Sequence, residues 1–495
     1  MLIILSDLHL NDGTTGETLS PEAFALFADR LKELAVTASW RSDGAYRPIE
    51  RIDLVLLGDV LDPLHSNRWH TAGSVRPWDD PQSPDLIDQI TRITGDILSQ
   101  NQESLSALRA LASEGEIAIP PMLRAARPAS DADDQPVLVR THYMVGNHDW
   151  FYHLPGEAYD ALRQKLVDQL GLANRSDRPF PHDITESDEL LQTMRRHKVT
   201  ARHGDSFDSL SFEGDRDLSG LTDAVTLDLV VRFMLEVEKN LGHELPDAAV
   251  LALREIDNFR PLLLIPVWIE GLLERTCPHP AVRKRVKQLW DRLAEELLSS
   301  PLVRERDALS SARLVDGLSH ALRFSKRRST GWAEATAEWL RTIRGADSDS
   351  FVSHALTEPD FRNRRAKHVV YGHTHAAEIV PLDASHAEGY VLDQVYFNAG
   401  TWRRIYHPAS FSPAGHEFIA ADVFSYLAFF QGDERKGRTF ETWTGTLGHL
   451  PAARVIHRID AGRGLLSASA HVAPQAPHFA SLLGNTTGSA ARRRS

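Results

Sequence analysis

Leu2–Leu10 reads LIILSDLHL: four apolar residues in a row, then Ser6, then Asp7 and His9 two positions apart. A short, unbroken apolar run is the pattern of a strand buried on both faces. It ends in two side chains able to bind a metal. The pattern recurs: IDLVLLGD ends at Asp59, VLVRTHYMVGNHD at Asp149, KVTARHGD at Asp205 and AKHVVYGHTH at His375. Glycine at such an end lets the chain bend without a Cβ clash, so short polar side chains can be mounted on a rigid sheet edge.

The segments between these runs have helical spacing. Leu86, Ile90, Ile93 and Ile97, followed by Leu105, Leu108 and Leu111, predict one or two amphipathic helices within an insertion of about residues 65–135. VRPWDDPQSP and RPASDADDQP read as its loops. A larger, mostly helical insertion is expected over 211–349, a cap dividing a first part of the main domain, 1–210, from a second, 350–460. Arg283, Lys284, Arg285, Lys287, Arg323, Lys326, Arg327 and Arg328 make the cap locally basic, and solvated helix faces are favoured over a substrate-binding patch. GYVLDQVYFNAGTW, EFIAADVFSYLAFFQG and RTFETWTGTL read as strands of a meander. Residues 461–495 form an extension whose end, GNTTGSAARRRS, is expected to be disordered.

The 495 residues are 42% apolar and 25% charged, which suits a globular protein with a large core. A net charge of −13 argues against a surface that is basic all over, as sequence-independent nucleic-acid binding would favour. The one cysteine, Cys277, cannot form an internal disulfide. The longest apolar run after the first, Leu262–Ile269, is too short for a membrane span. A cytoplasmic location is expected.

In chain order the polar ends supply Asp7 and His9; Asp59 and Asp62; Asn147, His148 and Asp149; His203; then His373 and His375. Two neighbouring divalent ions need an anionic oxygen to bridge them, neutral imidazoles to fill their shells, and open positions for water and substrate. Mixed oxygen and nitrogen donors suit Mn, Fe, Zn, Co or Ni better than Mg or Ca.

The blocks SDLHL, GDVLD, GNHD, RHGD and GHTH, in that order, resemble those of the calcineurin-like metallophosphoesterase superfamily. The resemblance covers the blocks and their strands and leaves the insertions and tail outside. It implies an α/β (α+β) fold, a four-layer αββα sandwich, here with a large helical insertion. It also implies that Asp7, His9 and His375 hold one metal and Asn147, His203 and His373 the other, with Asp59 bridging. Two divalent ions, Mn2+ first among them, are the implied cofactors. His148 would face the substrate as a general acid and Asp62 would hold it, a carboxylate favouring the imidazolium. Asp149 and Asp205 are expected to orient loops or ligands.

The implied reaction is hydrolysis of a phosphate ester by a metal-bound hydroxide. Pro63 and Leu64 follow Asp62 where protein phosphatases of the superfamily carry Arg-Gly, and His148 stands where the lipid A pathway hydrolases usually carry Arg. What remains is a phosphodiesterase or nuclease, with a phosphomonoesterase on a small molecule or nucleotide as the alternative. A non-catalytic scaffold is the reading from another class. His148 favours diesters, because it can help expel a poor alkoxide. His65, His70, His142, His153 and His386 fall in no block and read as surface or packing residues, while Arg403 and Arg404, after NAGTW, could reach a phosphate. A protein partner is not indicated.

Overall fold

The chain is seen in a computed structural model that describes residues 1–447 except 72–74, 114, 123–126, 129–132, 209, 213, 261, 310–317, 320, 325–350, 388–389 and 413–414. The expected extension 461–495 and the basic residues Lys326, Arg327 and Arg328 lie outside the described residues.

The fold is mixed α/β. The opening apolar run becomes strand β1 (Leu2–Leu5), which pairs in parallel with β2 (Arg51–Leu57), and β2 in turn with β3 (Leu138–Met144). Later in the chain, β4 (Val199–Ala201) and β5 (His368–Tyr371) pair in parallel, followed by β6 (Glu378–Ala387) and β7 (Tyr390–Asn398). β7 is parallel to β5 and antiparallel to β6, giving a four-stranded sheet in the order β4-β5-β7-β6. The last three strands, β8 (Arg403–Ser412), β9 (Gly415–Phe429) and β10 (Phe440–Leu447), join the first sheet, where the end of β9 pairs antiparallel with β1. The run expected as one meander therefore divides between two sheets: the turn at Ala399–Trp402 carries the chain from one to the other, leaving apolar faces on both to be buried.

The apolar faces explain the stacking. Leu2, Ile4, Val55, Leu57 and Met144 of the first sheet pack with Ala201, Val370 and Phe397 of the second. Alternation sends Ile3, Leu5, Leu54 and Leu56 to the opposite face. There they meet helices α1 (Pro21–Ala38), α2 (Pro84–Gln100), α3 (Gln102–Leu111) and α4 (Glu157–Leu170). The far face of the second sheet, with Val369, Tyr371 and Tyr396, is covered by Phe351 and Phe361. Helix α2 starts where Pro84 takes the first position and the Ser83 hydroxyl accepts from Leu86 N, and it buries the predicted Leu86, Ile90, Ile93 and Ile97.

The described part of 211–349 is helical. Its helices include Leu221–Ala224, continued by a π-helical stretch Val225–Val231, then Arg232–Leu241, Ile265–Thr276 and Pro280–Leu298. Phe233, Trp268, Trp290 and Cys277 lie in its own apolar core, and Phe259 and Trp268 pack on Tyr406 of β8. The insertion belongs to the compact unit Met1–Gly448. Of its basic side chains, Arg285 pairs with Glu244 at 2.5 Å, Lys287 with Glu270 and Arg323 with Glu295. Among the described residues, no helix is long and apolar enough to cross a membrane.

Candidate metal centre

In both sheets the parallel strands end on the same side of the candidate residues, and ligands of open α/β sheets gather at such carboxyl ends. β1 stops at Leu5, so Asp7 and His9 lie beyond the strand. They sit in the turn beyond it, with φ of 56° and 47°, and their backbones stay zipped to the neighbouring loop through Asp7 N–Gly58 O (3.2 Å) and His9 N–Asp59 O (2.8 Å). Asp59, His373 and His375 are left-handed too, with φ of 51°, 68° and 61°. Such conformations are sparsely populated by residues other than glycine and persist where surrounding structure enforces them. Five of the seven expected ligands are held this way.

Glycine is required where these loops touch. A Cβ on Gly372 would come within 2.6 Å of Asp7 Oδ2, and one on Gly146 would meet Asp59 Oδ1 and lie 2.8 Å from His203 Nε2. The glycines of GHTH and GNHD thus serve contact with ligand side chains from other blocks.

The donors form two groups around Asp59. In the first, His9 Nε2 lies 3.0 Å from His375 Nε2, while Asp7 Oδ1 lies 3.3 Å from His375 Nε2 and 3.7 Å from His9 Nε2. In the second, His203 Nε2 lies 3.1 Å from Asp59 Oδ2, and His373 Nδ1 lies 2.9 Å from Asn147 Oδ1. Asp59 Oδ2 is also 3.6 Å from His9 Nε2, so one oxygen faces both groups. Donors about 2.0–2.1 Å from a shared ion stand roughly 3.0–3.5 Å from each other.

The outer atoms of the same side chains are tied down, which aims the inner ones. His203 Nδ1 donates to Leu57 O at 2.9 Å, and His9 Nδ1 to Asp62 Oδ2 at 2.7 Å. Asp7 Oδ2 accepts from Ser6 Oγ (2.5 Å) and His373 N (3.0 Å). Asp7 Oδ1 and His203 Nε2 are then left buried, within 3.1–3.3 Å of other donors yet without an aligned hydrogen bond among the described residues. Buried polar atoms are satisfied in the great majority of cases, and an unmatched one costs about 1–3 kcal/mol. Two orphaned donor atoms aimed inward among imidazoles and carboxylates fit divalent ions. Burial opposes charge on Asp7 and Asp59, but the histidines around them outweigh it and hold both carboxyls well below the usual range, so they remain anionic ligands.

His148 lies beside the donors, close to His9 and Asp59. Its ring is edge-on to His9, its backbone N–H donates to Asp59 Oδ1 at 2.8 Å, and its Nδ1 is 2.9 Å from Asp62 Oδ1. Burial disfavours the charged ring, yet the carboxylates of Asp62 and Asp59 prevail and push its pKa up to about 9. Asp62 is buried and serves three imidazoles, those of His148, His9 and His65. His65, expected to be a packing residue, is a correction: its ring stacks on His148 at 5.3 Å, and its Nδ1 meets Asp62 at 2.6 Å. The i,i+3 spacing in DPLH was the available signal. Asp149 accepts from Tyr143 Oη, Gly146 N and Val60 N, and so orders the GNHD turn. Asp205 pairs with Arg216 at 2.9 Å.

Three contributors went unread in the sequence. Asp208, three residues after Asp205, lies 3.1 Å from His373 Nε2 and backs that ligand. Asp257, within the insertion, pairs with His65 Nε2 and, at 2.9 Å, with Arg403 Nη2. Arg260, partly buried, donates to Asp257 O and Phe259 O, and its charge is felt by both His148 and His375. Arg404 is held by Asp422 and Glu255, while buried Arg403 bonds Asn258 through Nε and Asp257 through Nη2, and its Nη1, without a hydrogen-bond partner among the described residues, lies 4.0 Å from Asp62 Oδ2. Both carboxylate pairings supply the counter-charge that a buried guanidinium requires. His70 bonds Leu227 O at 2.9 Å, His142 lies 3.7 Å from Asp53, and the side chain of His386 lies outside those described.

Comparison of the chain with models of known protein families finds no match, and comparison with curated proteins finds none either.

Proposed function

We propose that the chain is a phosphoric ester hydrolase working with two divalent ions, Mn2+ foremost, in a four-layer αββα sandwich of the calcineurin-like metallophosphoesterase superfamily. The observation that carries this reading is the pair of buried, unpartnered atoms, Asp7 Oδ1 and His203 Nε2, within the cluster joined by Asp59. Asp7, His9 and His375 would hold one ion and Asn147, His203 and His373 the other, with Asp59 shared. Bound there, the ions would supply Lewis acidity toward phosphoryl oxygens and acidify water.

The chain's own residues do the rest. His148 Nδ1 is committed to Asp62, which leaves Nε2 as the nitrogen that hands a proton to the leaving oxygen. Stacking on His65 and the bond to Asp62 hold that ring in place. Arg260 adds a positive charge beside the same ring, suited to a phosphoryl oxygen. A protonated histidine matters most when the leaving group is a poor alkoxide, so diesters are the favoured class.

The test is an activity panel on the metal-depleted chain reloaded with Mn2+: aryl mono- and diesters, nucleotides, cyclic dinucleotides, and single- and double-stranded nucleic acid, beside Asp59→Asn. Mn2+-dependent turnover with diesters ahead is expected, and none in Asp59→Asn. A chain that binds two ions yet hydrolyses no ester would overturn the function, and a clear monoester preference would overturn the substrate class.

A further inference from the structure

Another cluster of possible ligands lies apart from the two donor groups around Asp59. His153 ends the short turn Trp150–His153 after GNHD, His182 precedes the turn Ile184–Glu186, and Asp217 lies just inside the start of the helical insertion. One ligand atom from each falls within 4.8 Å of the other two. Asp217 Oδ1 is 3.6 Å from His182 Nε2 and 3.8 Å from His153 Nε2, and the two rings lie 4.2 Å apart.

Hydrogen bonding elsewhere leaves these atoms facing one another. His153 Nδ1 donates to Phe180 O at 2.8 Å, which fixes the tautomer whose Nε2 carries a lone pair toward Asp217. Buried His182 has no hydrogen-bond partner on either ring nitrogen among the described residues, and Asp217 Oδ1 is buried and unpartnered too. A purely structural packing would leave at least two such groups unsatisfied, and a buried polar group without a partner is costly. Donors about 2.0–2.1 Å from a zinc-class ion stand roughly 3.3–3.5 Å from one another in a tetrahedron, so closure by a few tenths of an ångström suffices.

We propose that His153, His182 and Asp217 form a third, mononuclear site for a divalent cation of the zinc class, with two imidazoles, one carboxylate and a position left for water. Its place in the chain gives it a role. Pro181 O, next to His182, accepts from Val145 N just before Gly146–Asn147, and Asp217 belongs to the base of the insertion. An ion here clamps the insertion to the frame that carries Asn147 and His148. Two imidazoles with one carboxylate exclude a site specialised for Ca2+ or Mg2+, which take all-oxygen shells.

The test uses the full chain, stripped with a chelator and dialysed against Zn2+ alone or Co2+ alone, with metal content read by elemental analysis. Asp217→Ala and His182→Gln are each expected to bind one equivalent fewer than the unsubstituted chain while retaining aryl-phosphate turnover. In the Asp59→Asn background, Co2+ is expected to give a visible absorption that Asp217→Ala abolishes. Metal content unchanged in both Asp217→Ala and His182→Gln would overturn the site. Should His182→Gln lose its near-ultraviolet circular dichroism, Asp217→Ala decides alone, because its side chain is only partly buried. The two readings fail separately: if only the paired ions are wrong, Asp59→Asn changes nothing while Asp217→Ala still loses its equivalent.

Discussion

Asp59 shows how one residue can carry several roles at once. Its Oδ1 fixes the backbone of His148, its Oδ2 stands between His9 and His203, and its left-handed backbone is held by the bond from His9 N. Asp59→Asn keeps the shape but removes the anion, so both ions are expected to be lost together, with activity, as elemental analysis will show. Retention of either ion at full occupancy would remove Asp59 from the shared position. His148 separates chemistry from binding. His148→Ala is expected to slow esters with alkyl leaving groups by roughly 10²- to 10⁴-fold and those with acidic phenols much less. Leaving-group series of kcat for the two proteins measure this, and equal losses in both series would reduce His148 to a positioning residue.

At the scale of elements, the notable contact joins the short turn Arg254–Asn258, with its neighbour Arg260, to the sheet edge at Arg403. Asp257 sits between two groups that burial would leave charged and alone, His65 and Arg403. Burial works against the His65 imidazolium, while Asp257 and Asp62 raise its pKa above the ordinary value, so the three act as one network. Removing one partner of such a network typically costs about 3–5 kcal/mol, because the remaining charges lose their counterpart. Asp257→Ala is therefore expected to lower the denaturant midpoint clearly and to loosen the seat of His148. Arg260→Ala tests the neighbouring charge: kcat/KM should fall by about 10- to 100-fold with metal content unchanged, and Arg260→Lys should recover only part. Full activity in Arg260→Ala would exclude that guanidinium from the substrate.

For the whole molecule, the interface between the two sheets makes stability depend on pH. His368 on β5 is buried against Phe397, Phe429 and Phe440, and burial brings its pKa down to about 4. The unfolded chain takes up that proton below about 6.5. At His368 the unfolded state thus binds more protons than the folded one between pH 6.5 and 4, so this contribution makes stability fall as the pH drops through that window and is constant above it. His197, also near 4 because of burial, adds to the same slope. Urea midpoints from pH 7.5 to 4.5 are expected to decline, and His368→Phe to decline less steeply. An identical slope in the variant would place the acid sensitivity elsewhere.

The sequence by itself determined the strand cores and the polar ends that follow them, because period, apolar runs and Gly-Asp or Gly-His turns are local properties of the chain. LIILSDLHL ended in a strand and two ligand candidates, and Leu86, Ile90, Ile93 and Ile97 turned inward as their spacing required. Tertiary structure alone decided which ends meet. Asp7 and His375 stand 368 positions apart along the chain yet bring their donor atoms within 3.3 Å, an approach set by sheet pairing and by close packing at Gly146 and Gly372. It also decided the partners of His65, Asp257, Arg403 and Asp208, which come from an insertion, a strand edge and a loop with no shared local pattern. A pairing between distant charges is chosen by burial, since only desolvation makes an unmatched charge expensive enough to select its partner.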